Sequence, residues 1–101
     1  MLDVVFILMD LSMWKYDGLF KIMLNDKRFN PLILVAPRIN QDEEDIKRDS
    51  LKMISHFKMK NYSLIEGYNV QTKKWLDLSQ FIIPDIVFYT QPFNKVAVHR
   101  N

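Results

Sequence analysis

The chain has 101 residues, enough for one domain, with 49% apolar and 26% charged residues and a net charge of +2 from 14 basic and 12 acidic side chains. So even a balance leaves no electrostatic footprint for nucleic acid, and the basic pairs Lys73-Lys74 and His99-Arg100 are too short to track a phosphate backbone. The absence of cysteine excludes disulfides, cysteine nucleophiles and thiolate metal sites.

The first element is the apolar run Val4 to Met9. It does not alternate, as expected of a strand covered on both faces. It follows Asp3 and is far shorter than the ~20 apolar residues of a membrane span. It also lacks the basic start and length of a signal peptide, so the expected location is cytoplasmic. Ser12 is the expected cap of a helix over residues 13–25, with Tyr16, Leu19, Phe20, Met23 and Leu24 as its apolar face. Leu32 to Ala36 reads as a second strand closed by Pro37.

Next comes the strongest helical pattern. Asn40 and Glu43 form a capping box, and Asp42, Glu43, Glu44 and Asp45 crowd the first turn, where the helix dipole favours negative charge. That match to the dipole accounts for the acidic run without a metal or a partner. Ile46, Ser50, Met53, Ile54 and Phe57 repeat at helical spacing behind it. A third strand is expected from Ser63 to Glu66 or Tyr68. A third helix is expected over Gln71–Phe81, with Trp75, Leu78 and Ile82 packing inward. Pro84-Asp85 then opens a fourth strand, Asp85 to Tyr89, which Thr90-Gln91-Pro92 ends.

Strands alternating with helices predict a three-layer, Rossmann-like α/β domain with a four-stranded parallel sheet in the order 3-2-1-4. After Phe93 no further element is evident, so the chain reads as the front part of something longer or as a minimal four-strand unit.

Ligands of such sheets sit beyond the carboxyl ends of the strands, at the point where the winding reverses. Here those ends supply Asp10, Ser12 and Trp14 after strand one and Thr90, Gln91 and Phe93 after strand four. Asp10 and Gln91 offer hydrogen bonds to hydroxyl groups, and Trp14 or Phe93 offers an apolar face. Asp10 has a second reading, as the cap of the next turn. Of Trp14 and Tyr16, one is expected to pack inward and the other to border the crevice. The turn after strand one contains no glycine, so the phosphate cradles of dinucleotide and P-loop proteins are not expected, nor any cofactor. His56 and His99 stand apart with no carboxylate at ligand spacing, so no metal is expected.

Several runs together resemble one family. They are Val4-Val5-Phe6-Ile7-Leu8, Ser12-Met13-Trp14-Lys15-Tyr16-Asp17 with Leu19-Phe20, Arg28-Phe29-Asn30-Pro31 leading into Leu32 to Pro37, and Pro84 to Tyr89 with Gln91-Pro92-Phe93. They resemble the amino-terminal half of bacterial CDP-glycerol glycerophosphotransferase-like proteins, GT-B type transferases of teichoic acid and capsular polysaccharide synthesis. The resemblance spans nearly the whole chain. It implies an acceptor-side domain, inactive alone, whose partner is a carboxyl-terminal donor-binding domain carrying the catalytic histidines. It further implies a polymer or lipid-linked acceptor and peripheral association with the inner face of the membrane through the parent protein. Neither His56 nor His99 sits in a matching motif, so no catalytic role is carried over. The alternative is a stand-alone α/β signalling or protein-interaction module. A receiver-like domain would need an acidic pair after strand one and an acid after strand three; here strand three runs into Glu66-Gly67-Tyr68.

Overall fold

A computed structural model describes residues 1–38, 41–77, 84–89 and 96–98. The first strand, β1 (Leu2–Leu8), lies at the centre of a five-stranded sheet. It runs parallel to β2 (Phe29–Val35) from Leu2 opposite Phe29 to Leu8 opposite Val35. On its other side it runs parallel to β6 (Ile86–Tyr89), with Phe6 opposite Phe88. β3 (Leu64–Glu66) flanks β2 in parallel, and β7 (Val96–Val98) flanks β6 in antiparallel. The four parallel strands therefore stand in the order expected from the sequence, in a Rossmann-like α/β fold. The antiparallel edge strand β7 is an addition that the sequence reading lacked.

Alternation along the strands divides the core. Val4, Phe6 and Leu8 of β1 and Ile33 and Val35 of β2 face helices α1 (Asp17–Leu24) and α2 (Glu43–Met59). Phe20 and Met23 of α1 and Met53, Ile54 and Phe57 of α2 meet them in one cluster. Both helices share a face because β1-α1-β2 and β2-α2-β3 are successive crossovers of one hand, stepping in one direction. Val5, Leu34 and Val87 point to the opposite face and are buried too, so both sides of the sheet are covered. Phe6, Phe20 and Phe57 are wholly buried, and truncating any of them to alanine costs about 3–5 kcal/mol.

β2 begins three residues earlier than its apolar run and takes in Pro31. Proline lacks the N–H that a central strand needs. The N–H of Ile33 donates to the carbonyl of Ser63 (3.0 Å), which places odd-numbered β2 residues on the β3 side. Pro31 thus faces a stretch where β3 has not yet begun, and no bond is lost. At the amino edge the strand starts are tied together. Asp3 N–H donates to Asp85 Oδ2 (2.7 Å), Asp85 N–H to the Asp3 carbonyl (2.8 Å), and Asn30 Nδ2 to Asp3 Oδ1 (3.0 Å).

Three expected elements differ. The helix over residues 13–25 is a single 3-10 turn, Leu11–Met13, followed by the shorter α1. Asp10 caps the 3-10 turn, and extended backbone at Trp14 (φ −72°, ψ 113°) delays α1 to Asp17. Of the expected apolar face, Phe20 and Met23 are buried whereas Leu24 is exposed. Helix α2 starts at Glu43 after Asp42, whose side chain makes no capping bond, so Glu43 does not serve as the third residue of a capping box. The expected cap Asn40 lies outside the described residues.

The third difference is the largest. In place of the start of a helix from Gln71, the chain forms a hairpin of β4 (Tyr68–Asn69) and β5 (Lys74–Trp75). Asn69 Oδ1 accepts from the N–H groups of Gln71 (2.9 Å) and Thr72 (3.1 Å), and Lys73 adopts φ 59°. This side-chain-stabilised turn competes directly with helix formation. Residues 78–81 of the expected helix, with Ile82, lie outside the described residues. Gly67 joins β3 to the hairpin: its N–H donates to the Val35 carbonyl (2.7 Å), and a Cβ here would stand 2.6 Å from that oxygen. Only glycine permits so close an approach.

Candidate functional site at the carboxyl edge of the sheet

The two strands at the switch point, β1 and β6, end side by side, with Ile7 opposite Tyr89. Beyond β1 the chain is extended at Asp10 (φ −149°, ψ 133°) and turns at once into the 3-10 turn. Asp10 Oδ1 accepts both from the Ser12 N–H and from Ser12 Oγ, each at 3.0 Å. The Asp10 carbonyl accepts from the Met13 N–H (3.0 Å) and so closes the turn. Asp10 is therefore a cap, as one of its two readings held. It is also a fixed, half-buried carboxylate at the end of the central strand, with Oδ2 left without a hydrogen bond among the described residues.

Its carboxyl lies below the usual range of an aspartate. The bond from the Ser12 N–H is the main cause, partial burial works against it, and the Ser12 hydroxyl and the charges of Arg38 and Lys52 add to the lowering. Asp10 is accordingly ionised at neutral pH, an acceptor for hydroxyl or cationic groups and a weak proton acceptor. Arg38 follows β2, and Lys52 projects from α2. Sequence reading missed both. Arg38 could have been found from the pairing of β1 with β2, which places Pro37-Arg38 beside the end of β1.

Trp14 turns inward. Its ring meets those of Phe57 (5.1 Å), Phe6 (5.8 Å) and Phe20 (6.0 Å) edge-on. Tyr16 also packs on Phe6 (5.6 Å) and Phe88 (5.4 Å). Both half-buried aromatics thus pack against the core. The Trp14 indole donates from Nε1 to Asp17 Oδ1 (3.3 Å). The same oxygen accepts from Lys60 Nζ (2.8 Å) and Tyr62 Oη (2.9 Å), while Lys21 Nζ lies 3.3 Å from Oδ2. Lys60 first, then Tyr62, Trp14 and Lys21, hold the Asp17 carboxyl far below its usual range against the opposing effect of burial. Burial first, and then Asp17, push the Tyr62 phenol up to about 12. This knot ties the start of α1 to the end of α2 and is structural.

Thr90, Gln91 and Phe93 lie outside the described residues, so of the six expected site residues the structure places Asp10, Ser12 and Trp14. It brings Asp10 and Ser12 into direct contact and packs Trp14 on Phe6, Phe20 and Phe57. His56 is half-buried against the Phe57 ring (5.0 Å), and His99 lies outside the described residues. Among the described residues no three histidines or carboxylates gather as metal ligands, and no helix is long and apolar enough to cross a membrane. The chain matches no protein-family model, no characterised protein and no solved structure. What the fold and this edge define is a class: a Rossmann-like α/β domain with an ionised, pre-oriented carboxylate at its switch point.

Proposed function

We propose that the chain is the acceptor-side domain of a glycerophosphotransferase- or glycosyltransferase-like protein of cell-surface polymer synthesis. In this reading it works at the cytoplasmic face of the membrane, beside a donor-binding domain, and turns over nothing alone. The observation that carries the reading is Asp10. A carboxylate oriented by Ser12, ionised, and flanked by the charges of Arg38 and Lys52 suits a polyol phosphate, with Asp10 taking a hydroxyl and the cations the phosphate. Its place at the reversal of winding is where α/β sheets take ligands. The glycine-free turn after β1 favours the acceptor over a nucleotide as the ligand of this edge. The sequence resemblance supports the same assignment.

The test is binding of an oligomer of glycerol phosphate to the purified chain, followed by calorimetry. Asp10→Asn keeps the Oδ1 acceptor for Ser12 and removes the charge. It should weaken binding about tenfold, a change of about 1.4 kcal/mol, in a chain that still unfolds cooperatively in urea. No binding, or equal binding by the variant, refutes the reading. So does turnover of CDP-glycerol by the isolated chain.

A further inference from the structure

Charge is not spread evenly along the chain. Between Asp17 and Asn25, and again between Ser50 and Asn61, Lys21, Lys52, Lys58 and Lys60 stand against a single carboxylate, Asp17. The rest of the chain is left with more acidic than basic side chains. The two cationic segments are α1 and the later part of α2 with its cap, and they lie side by side. Asp17 Oδ1 accepts from Lys60 Nζ (2.8 Å), and the Phe20 and Tyr62 rings meet at 4.4 Å. Their outward sides therefore form one surface of the helix layer.

Three large aliphatic side chains stand out on that surface. Ile22 is on the side of α1 away from the buried Phe20 and Met23, and it is 67% exposed. Leu51 and Met59 lie about two helical turns apart on α2, outside its buried stripe, and are 47% and 82% exposed. A lone exposed leucine needs no explanation. Three aliphatic side chains among lysines, on a surface whose one carboxylate is already held by Lys21 and Lys60, make a pattern. Lys58 is exposed and has no ion pair among the described residues.

We propose that the outer surface of α1 and the later part of α2 seats on an anionic lipid bilayer. Its lysine ammonium groups lie among the headgroup phosphates, and Ile22, Leu51 and Met59 press into the boundary with the acyl chains. The residue types favour this partner over a protein. Lysine is depleted from protein–protein interfaces, and the charged cations of these segments are all lysine. A negative membrane surface attracts each nearby lysine, worth about fivefold in affinity, and exposed aliphatic side chains add to that attraction by burial. The proposal goes beyond the acceptor reading, which sets the protein at a membrane without naming the surface that meets it, and does not depend on it. Lys52 also flanks Asp10 and is left unaltered in the test.

The experiment is co-sedimentation of the purified full chain with vesicles of phosphatidylcholine containing about one third phosphatidylglycerol, beside vesicles of phosphatidylcholine alone. Binding to the anionic vesicles should be about tenfold tighter or more, and should weaken as salt rises. Lys58→Gln should weaken it about fivefold, and Ile22→Ser combined with Met59→Ser about tenfold. All three positions are exposed, so each variant should keep a cooperative urea transition. Soluble glycerol phosphate, a free source of the same headgroup chemistry, should not displace the chain. Asp10→Asn should bind the vesicles no less than wild type, so this proposal and the acceptor reading fail separately. The proposal is overturned if the chain does not sediment with anionic vesicles, binds neutral ones equally, or is displaced by soluble glycerol phosphate. It is overturned equally by vesicle binding unchanged in the apolar double variant, which would make the surface a diffuse patch for any polyanion.

Discussion

Replacing Asp17 by alanine removes one carboxylate and strands four donors. The consequence can be worked from their burial. Tyr62 is 7% exposed, and its hydroxyl loses the partner to which it donates, which costs about 1–3 kcal/mol. The half-buried Trp14 indole loses a weaker bond worth about 0.5–1 kcal/mol. The ammonium groups of Lys60 and Lys21 are 33% and 62% exposed and screened by water, so each contributes about 0–1 kcal/mol. The sum is about 1.5–6 kcal/mol, a large part of the ~5–15 kcal/mol that holds a domain together. Urea unfolding followed by Trp14 fluorescence measures it. A double-mutant cycle with Tyr62→Phe isolates the central contact. In the wild-type background Tyr62→Phe should destabilise, and in the Asp17→Ala background it should be near neutral, because the orphaned hydroxyl is gone. A loss below about 1 kcal/mol for Asp17→Ala, or equal effects of Tyr62→Phe in the two backgrounds, would refute this account of the knot.

Gly67→Ala should lower stability by about 1–3 kcal/mol, since its Cβ would press on a backbone oxygen that cannot swing aside; a midpoint equal to wild type in urea would remove the steric argument. Acid should weaken the fold through Asp10, Asp17 and Asp26, whose carboxyls are all lower when folded, Asp26 at about 2. Their contribution is complete above the unfolded value of about 3.9 and is lost as pH falls through the folded values, so unfolding monitored from pH 5 to pH 2 should steepen below pH 4. Alkali acts through Tyr62, whose folded value is about 12 against 10 in an unfolded chain. The unfolded state gives up its proton first, so stability should fall between pH 10 and pH 12, and Tyr62→Phe should flatten that limb.

Much of the scaffold was legible because its signals are periodic and local. The uninterrupted run from Val4 announced a strand buried on both faces, and it is the central strand. Ile46, Ser50, Met53, Ile54 and Phe57 were read from spacing alone, and all five are buried. The failures lie where a single side chain redirects the backbone. Ser12 looked like a helix cap, but Asp10 captures the Ser12 N–H and closes a tighter turn. The pattern of Trp75, Leu78 and Ile82 looked helical. Yet Asn69 and a left-handed Lys73 fold the chain back, leaving Trp75 42% exposed. Asp10 was legible as an edge carboxylate because strand ends can be read from sequence. Its neighbours Arg38 and Lys52 were not, since their approach depends on strand pairing and helix position.

The route from β3 to β6 has a consequence for the order of events on a ribosome. Residues from β1 through β3 form a run in which each new strand joins the one before it. β6 has to return past two strands to reach β1, and Asp3 and Asp85, which bond to each other, are 82 residues apart. Closing so long a loop is slow relative to the local pairings. Until it closes, one side of β1, from Val4 to Ile7, is an apolar strand with an open edge, the kind of surface that recruits other chains. A nascent chain released just after β3 would carry that edge permanently. The short β6, a late arrival in the sequence, thus acts as the seal on the oldest strand of the sheet.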